Sequence, residues 1–264
     1  MPKPRRQTAT SNTYRFFISA EAVRGDAVLV EDAALAHQLA TVLRLGVGDT
    51  VVLLDNLGWQ YTVTLTQLTR SQVGGIIQDK QLAAGEPRSQ ITLFLALMRH
   101  EKFEWVLQKG TELGICAFVP LITERSMADA SDMTERKTDR WNKIIREAAE
   151  QSRRGKLPQL GAALPFAQGC AQAAQHGTAL LLWEGAGAQP LRQALARAKQ
   201  HGGASTAYSV AFLTGPEGGF ADHELETARS HGIIPVTLGP RTLRAETAPL
   251  AATAAMLYEM GDLE

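Results

Sequence analysis

From residue 91 onward the chain alternates between nearly unbroken apolar runs and amphipathic segments, and this alternation restricts the fold more than any other feature. "ITLFLALM" (91–98), "ICAFVPLIT" (115–123), "TALLLWEG" (178–185), "SVAFLTG" (209–215) and "IIPVTLG" (233–239) carry almost no polar interruption. A strand with one wet face alternates apolar and polar residues; these do not, so both faces are covered, as in a parallel sheet whose strands are joined by helices. The intervening segments fit that role. "KFEWVLQKGTELG" (102–114) is helical and closes at Gly114, a C-cap residue. "ERKTDRWNKIIREAAEQSRR" (135–154) predicts a long helix, and further helices are expected near 190–200 and 221–231. The last, 247–260, has Pro249 in its first turn, where a missing N–H costs little. The pattern predicts an α/β fold.

The first third reads differently. "YRFFIS", "AVLV", "TVVLLDN", "QYTVTLTQL" and "GGIIQDKQL" are short, β-branched and separated by turn residues. One helix is expected among them, over "EDAALAHQLATVLRL" (31–45), with Ala34, Leu35, Leu39, Val42 and Leu43 near helical spacing. His37 and Arg44, seven apart, share a face of that helix and are candidate binding residues, although such polar residues are more often simply solvated. "AAGEPRSQ" (83–90) is polar, carries Gly and Pro, and marks the linker. The expected organisation is a basic disordered tail over 1–12, a small β-rich module over 13–85 and the α/β domain over 86–264.

Composition narrows the function classes. Lys plus Arg and Asp plus Glu each total 27, so no net charge pulls the whole protein toward nucleic acid. Local clusters remain possible sites: Lys3, Arg5 and Arg6, then Arg153, Arg154 and Lys156. No apolar run has bilayer length and the N-terminus lacks an apolar core, so neither a membrane span nor a secretory signal is expected. Cys116 and Cys170 lack metal or redox spacing, which fits a reducing, cytoplasmic setting. The six histidines lack metal-ligand spacing, so no metal is expected. Phosphate-loop, serine-hydrolase and zinc-protease motifs are absent. "WEGAGAQP" (183–190) has Gly185 and Gly187 after a strand but Pro190 where a dinucleotide fingerprint needs its third glycine, so it is set aside as a site.

Two other strand ends hold the candidate site. "FLTGPEGGFADHE" (212–224) and "VTLGPRTLRAETAPL" (236–250) both leave an apolar strand through a Gly-Pro loop. In open α/β sheets ligands bind beyond the carboxyl ends of strands, and glycines let backbone groups approach a ligand closely. Arg241, Arg244 and Glu246 cluster at the start of the last helix. An arginine there gains nothing from the helix dipole and is suited to holding an anion that develops in a transition state.

"LTGPEGGF", "LGPRTLRAETA", "KFEWVLQKGTELG" and "EAAEQSRRGKLP", in this order, resemble the bacterial 16S ribosomal RNA (uracil-N3)-methyltransferase family of the SPOUT class, over nearly the whole chain. "RFF" and "HQLATVLRLGVGD" are similar to that family's PUA-like RNA-binding β module. The resemblance implies a SPOUT domain with a C-terminal deep trefoil knot, preceded by a small PUA-like β-barrel. Topology rules alone predict an unknotted chain. It also implies S-adenosylmethionine as methyl donor, a homodimer, and one uridine of 16S rRNA in the 30S subunit as substrate. Carried onto this sequence, Leu213, Thr214, Gly215, Pro216, Glu217, Gly218 and Gly219 would line the cofactor pocket. So would Leu238, Gly239, Pro240, Thr242, Leu243, Arg244, Ala245, Thr247 and Ala248.

Uracil N3–H is a weak acid, and its neutral nitrogen has no free lone pair for attack. The expectation is that Arg244 or Arg241 holds charge on O2 or O4, while Glu246 or Glu217 accepts the proton. Arg153 and Arg154 would touch phosphates or the target base, with Arg15 on the RNA-binding module. Lys102 and Lys109, seven apart, would join the RNA surface or the site. N3 lies on the pairing edge, so the base must be unpaired before it reacts. Two other readings stay open: a SPOUT methyltransferase for another RNA nucleoside, and a non-catalytic rRNA-binding assembly factor.

Overall fold

The computed structural model describes residues 14–127, 133–202 and 208–263. The basic tail lies outside them. The chain divides into two units: Met1–Ala84 with Arg153–Lys156, and Gly85–Ser152 with Leu157–Glu264.

The first unit contains β1 (Arg15–Phe17), β2 (Val23–Arg24), β3 (Ala27–Val30), α1 (Ala33–His37), β4 (Thr50–Leu54), β5 (Trp59–Leu68) and β6 (Val73–Leu82). They form one six-stranded sheet in the order β1-β4-β5-β6-β3-β2. Only β1 and β4 run parallel; the other pairs are antiparallel. Tyr61, Val63 and Leu65, at alternate positions of β5, point into a core with Phe16, Val28, Leu35, Leu39, Val51 and Leu53. Asp32 caps α1, its carboxylate accepting from the amides of Ala34 (2.8 Å) and Leu35 (3.1 Å). The single helix expected over 31–45 is shorter: after five α residues the chain widens into π-helical turns over Gln38–Val42. Across that turn Val42 is 65% exposed while Leu43 packs against the core, as the rotation of about 100° between neighbouring helical residues allows.

Residues 153–156 join this unit although they follow the first two helices of the second. A Cβ on Gly155 would lie 2.5 Å from Ala83 Cβ and 3.2 Å from Gly58 Cα, so only glycine fits that approach.

The second unit runs β7 (Gln90–Ala96), α2 (His100–Leu113), β8 (Ala117–Ile122), α3 (Glu135–Gln151), β9 (Gln159–Leu160), β10 (Leu164–Pro165), α4 (Phe166–Ala173), β11 (Thr178–Leu182), β12 (Gln189–Pro190), α5 (Leu191–Gly202), β13 (Ser209–Thr214), α6 (Asp222–Ser230), β14 (Ile234–Thr237) and α7 (Thr247–Met260). The sheet order is β10-β8-β7-β13-β11-β14-β12, with β9 also beside β8. Every pair is parallel. Neighbouring residues of one strand enter opposite cores, which explains the unbroken apolar runs. Leu93, Val210 and Phe212 pack with Phe103 and Val106 of α2, Trp141 of α3, Leu195 of α5 and Met256 of α7. Phe94, Ala211 and Leu213 pack on the other face with Phe166 and Cys170 of α4 and Leu225 of α6.

The end of α7 is fastened to the start of β7. Asp262 accepts from the backbone amides of Arg88 and Ser89, each at 3.1 Å, and from Arg88 Nε at 3.1 Å. The same guanidinium donates to the carbonyls of Met260 (3.2 Å) and Gly261 (3.0 Å). Burial alone would raise the Asp262 carboxyl, but these bonds outweigh it and hold the group below its ordinary value.

Candidate functional site

Because β11 lies between β13 and β14, the loops leaving all three strands open at one edge of the sheet. Together they wall a cavity of about 570 Å³, large enough for a nucleoside-sized ligand. Its lining comes from residues 182–185, 214–220, 236–239 and 241–245, with Ala248, Lys102 and Arg125.

Backbone geometry explains the glycines. Gly219 and Gly239 have φ of 68° and 110°, which side-chain-bearing residues rarely adopt. A Cβ on Gly218 would meet Arg125 Cβ at 3.2 Å. The loop is braced from the segment after β8. Arg125 donates through one guanidinium nitrogen to the carbonyls of Gly218 (2.9 Å) and Phe220 (3.3 Å). Glu224, 3% exposed, accepts from the amides of Glu124 and Ala221, both at 2.9 Å.

Lys102, near the start of α2, stands 3.3 Å from Glu217 Oε1 and 3.3 Å from Glu246 Oε2. Burial alone would raise the Glu246 carboxyl. A hydrogen bond from its own backbone amide, together with Lys102 and Arg244, overcomes this and holds it below the usual carboxylate range. Arg241 and Arg244 line the cavity and are exposed. The Arg244 carbonyl accepts from the amides of Thr247 (2.8 Å) and Ala248 (3.0 Å) and so opens α7.

Two lining residues hold buried polar atoms with no hydrogen-bond partner among the described residues: Thr214 Oγ1 and Trp183 Nε1. Buried polar atoms are normally paired, so a ligand with polar groups of its own, reached by a small shift of the wall, would satisfy both. S-adenosylmethionine fits this demand, since it carries amino, carboxylate, ribose and adenine groups on a small frame.

Of the residues singled out in the sequence, Glu217, Arg241, Arg244 and most of both Gly-Pro loops line the cavity, and Glu246 borders it through Lys102. Leu213 instead is wholly buried in β13, and Pro240 and Thr247 stand outside the wall. Contrary to the expectation from its glycine spacing, the "WEGAGAQP" loop belongs to the site: Trp183, Glu184 and Gly185 form part of the wall. The glycine-spacing test asked for a dinucleotide fingerprint, whereas membership of this site required only a strand end between two others. Arg125 carried no local signal, because its partners Gly218 and Phe220 lie far along the chain; Glu224 bonds locally to the Ala221 amide, but its second partner, Glu124, is equally remote.

Lys102 and Lys109 part company. Lys102 enters the cavity wall, whereas Lys109 pairs with Glu112 at 2.7 Å and lies 5.3 Å from the Trp105 ring centroid. In the first unit His37, Arg44 and Arg153 are exposed. Arg15 is half-buried, and burial, then the charge of Arg153, lowers its guanidinium. Arg154, expected to face rRNA, is 2% exposed. Its guanidinium is packed inside and is not presented to a polyanion.

Among the described residues no group of three or more His, Cys, Asp or Glu is placed to hold a metal ion, and no helix is long and apolar enough to cross a membrane.

Comparison with known proteins gives a consistent family. Residues 85–257 match the RNA methyltransferase domain family. The ribosomal RNA small subunit methyltransferase E of Synechocystis is 35% identical over 241 residues, covering 91% of this chain and 76% of that protein. The Bacillus subtilis protein of the same name is 30% identical, covering 84% and 87%. Among solved structures, the ribosomal RNA small subunit methyltransferase E of Neisseria gonorrhoeae, bound to S-adenosylmethionine, superposes with a TM-score of 0.79 at 29% identity, over 94% of this chain and 98% of that one. A Legionella pneumophila protein in complex with the same cofactor gives 0.81 at 29% identity, with the same coverage. By domain match, near-full-length identity and shared architecture, the chain belongs to the ribosomal RNA small subunit methyltransferase E family of RNA methyltransferases.

Proposed function

We propose that the protein methylates N3 of one uridine of 16S rRNA in the small ribosomal subunit, using S-adenosylmethionine held in the cavity at the ends of β11, β13 and β14. The observation that carries this reading is the cavity itself. Three strand-end loops meet there, and Thr214 Oγ1 and Trp183 Nε1 are left without partners in its wall. The cofactor supplies an electrophilic methyl group on a sulfonium centre. The chain supplies the rest. Methyl transfer to N3 requires the N3–H bond to break, with its electron pair becoming the nucleophile and its proton passing to a base. Glu246, held ionised, and Glu217 are the carboxylates available to accept it; Arg244 and Arg241 are the cations available to hold charge on O2 or O4.

The finer architecture belongs to the same proposal. The six-stranded mixed sheet of the first unit supports a PUA-like RNA-binding module, with Arg15, His37, Arg44 and Arg153 facing rRNA. The placement of β11 between β13 and β14, and the convergence of the segments after them, support a trefoil-knotted SPOUT domain. The functional form in this reading is a cytoplasmic homodimer acting on the 30S particle.

The test is a methyl-transfer reaction with labelled S-adenosylmethionine and unmodified 30S subunits, followed by nucleoside analysis of the rRNA. Labelled 3-methyluridine at one site is the expected product. Label on another nucleoside overturns the substrate assignment. Bound cofactor without any labelled product leaves the assembly-factor reading in its place.

A further inference from the structure

We infer that Lys102 is a strut between the two Gly-Pro loops, acting through Glu217 and Glu246 to hold the cofactor cavity in its binding shape; the cofactor part of this inference rests on the function proposed above. Three separate pieces of chain meet at its ammonium. Glu217 belongs to the irregular segment between β13 and α6, Glu246 to the segment between β14 and α7, and Lys102 to the first turn of α2. Each carboxylate lies 3.3 Å from Nζ, so their oxygens are within twice that distance of each other. Without a cation between them, two carboxylates so placed repel.

The anchor is stiffer than the loops it joins. Phe103, Val106 and Leu107 follow Lys102 on α2 and are wholly buried, so the helix cannot drift with either loop. The loop that carries Glu217 is tied on its other side to the segment after β8, by Arg125 at the carbonyls of Gly218 and Phe220. Lys102 supplies the opposite tie, toward α7. A cavity wall built from two loops binds tightly only when the loops are already in place, because ordering them on binding subtracts from affinity. The side chains of Lys102, Glu217 and Glu246 are only 31%, 27% and 16% exposed, so solvent screens the bridge less than a surface pair.

Lys102 is therefore a positioning residue, and its test must separate action through the carboxylates from direct contact with ligand. Two readouts do this. The first is hydrogen exchange of the ligand-free full chain. In Lys102→Met the amides of 215–219 and 242–246 should exchange faster, with protection in β7 and β8 unchanged. Unchanged loop protection overturns the strut, whatever the cavity binds. The second is S-adenosylmethionine affinity by calorimetry. Lys102→Met should weaken it about tenfold, and Lys102→Arg should recover most of the loss. The triple variant Lys102→Met, Glu217→Gln, Glu246→Gln removes the repulsion along with the cation and should bind more tightly than Lys102→Met alone. Triple-variant binding no better than the single variant means that Lys102 meets the ligand itself and overturns the inference. Faster loop exchange in Lys102→Met, combined with no S-adenosylmethionine binding by the wild-type chain, supports the strut and overturns the proposed cofactor instead.

Discussion

Glu246 sits beside Lys102 and Arg244, and both cations make its carboxylate a weaker proton acceptor than a free one. The same cations keep it ionised well into the acid range. A proton acceptor for N3–H must be ionised before it can work, so the depressed value secures availability at the expense of proton affinity. Glu246→Gln should lower the methyl-transfer rate about a hundredfold if it is the acceptor, measured by single turnover at saturating cofactor; a rate within threefold of wild type assigns the proton to Glu217 or water. Arg244→Ala should cost about two orders of magnitude, as loss of one donor to a developing anion does, and near-normal turnover rules that role out. Away from the chemistry, burial first and Glu224 second push the Cys170 thiol up to about 12. Cys170 should resist iodoacetamide at pH 8 in the native protein and react only on unfolding, as read by mass spectrometry of the alkylated peptide.

At the scale of elements, glycine placement leads to a prediction about loops. Gly219 has a positive φ and nothing within 4 Å of a virtual Cβ. Gly219→Ala should therefore weaken S-adenosylmethionine binding, read by calorimetry, and lower the melting temperature by a few degrees, both through backbone strain without any steric clash. The longer strands and both Gly-Pro loops were legible in the sequence because their signals are local: apolar runs, then glycine and proline; the two-residue strands β2, β9, β10 and β12 gave no such run. The helix α4 was not. Its buried residues Phe166, Gly169, Cys170 and Ala173 follow helical spacing, but two are very small and one is a helix-weakening glycine, so the apolar stripe is faint. The Trp183–Gly185 wall was read against the wrong template. Lys102 was singled out, but its partners Glu217 and Glu246 lie more than a hundred residues along the chain, and no periodicity reports such a meeting. The attachment of 153–156 to the first unit was equally invisible, since it depends on Gly155 reaching Gly58 and Ala83.

At the scale of the molecule, the fastening of Asp262 to Arg88 and Ser89 sets an acid limit on stability. The folded carboxyl is depressed, so its contribution is present above the unfolded value near 3.9 and is lost as pH falls through the folded value. Asp262→Ala should cost about 2 kcal/mol near neutrality, from the loss of charged hydrogen bonds. The gap in melting temperature between variant and wild type should narrow as pH drops toward 3. A gap that stays constant across that range means the carboxylate charge contributes nothing.

The sheet order has a consequence for how the chain is made. Gln90 of β7 finds its partner in Ser209 of β13, and Arg88 finds Asp262 a further stretch along, 174 residues away. During synthesis at ~5–20 residues per second, β7 leaves the ribosome roughly ten seconds before the strand that completes it. Through that interval a largely apolar strand presents an open edge. A chain of this topology thus carries, while it is still attached to a ribosome, a bare strand edge that the finished sheet closes.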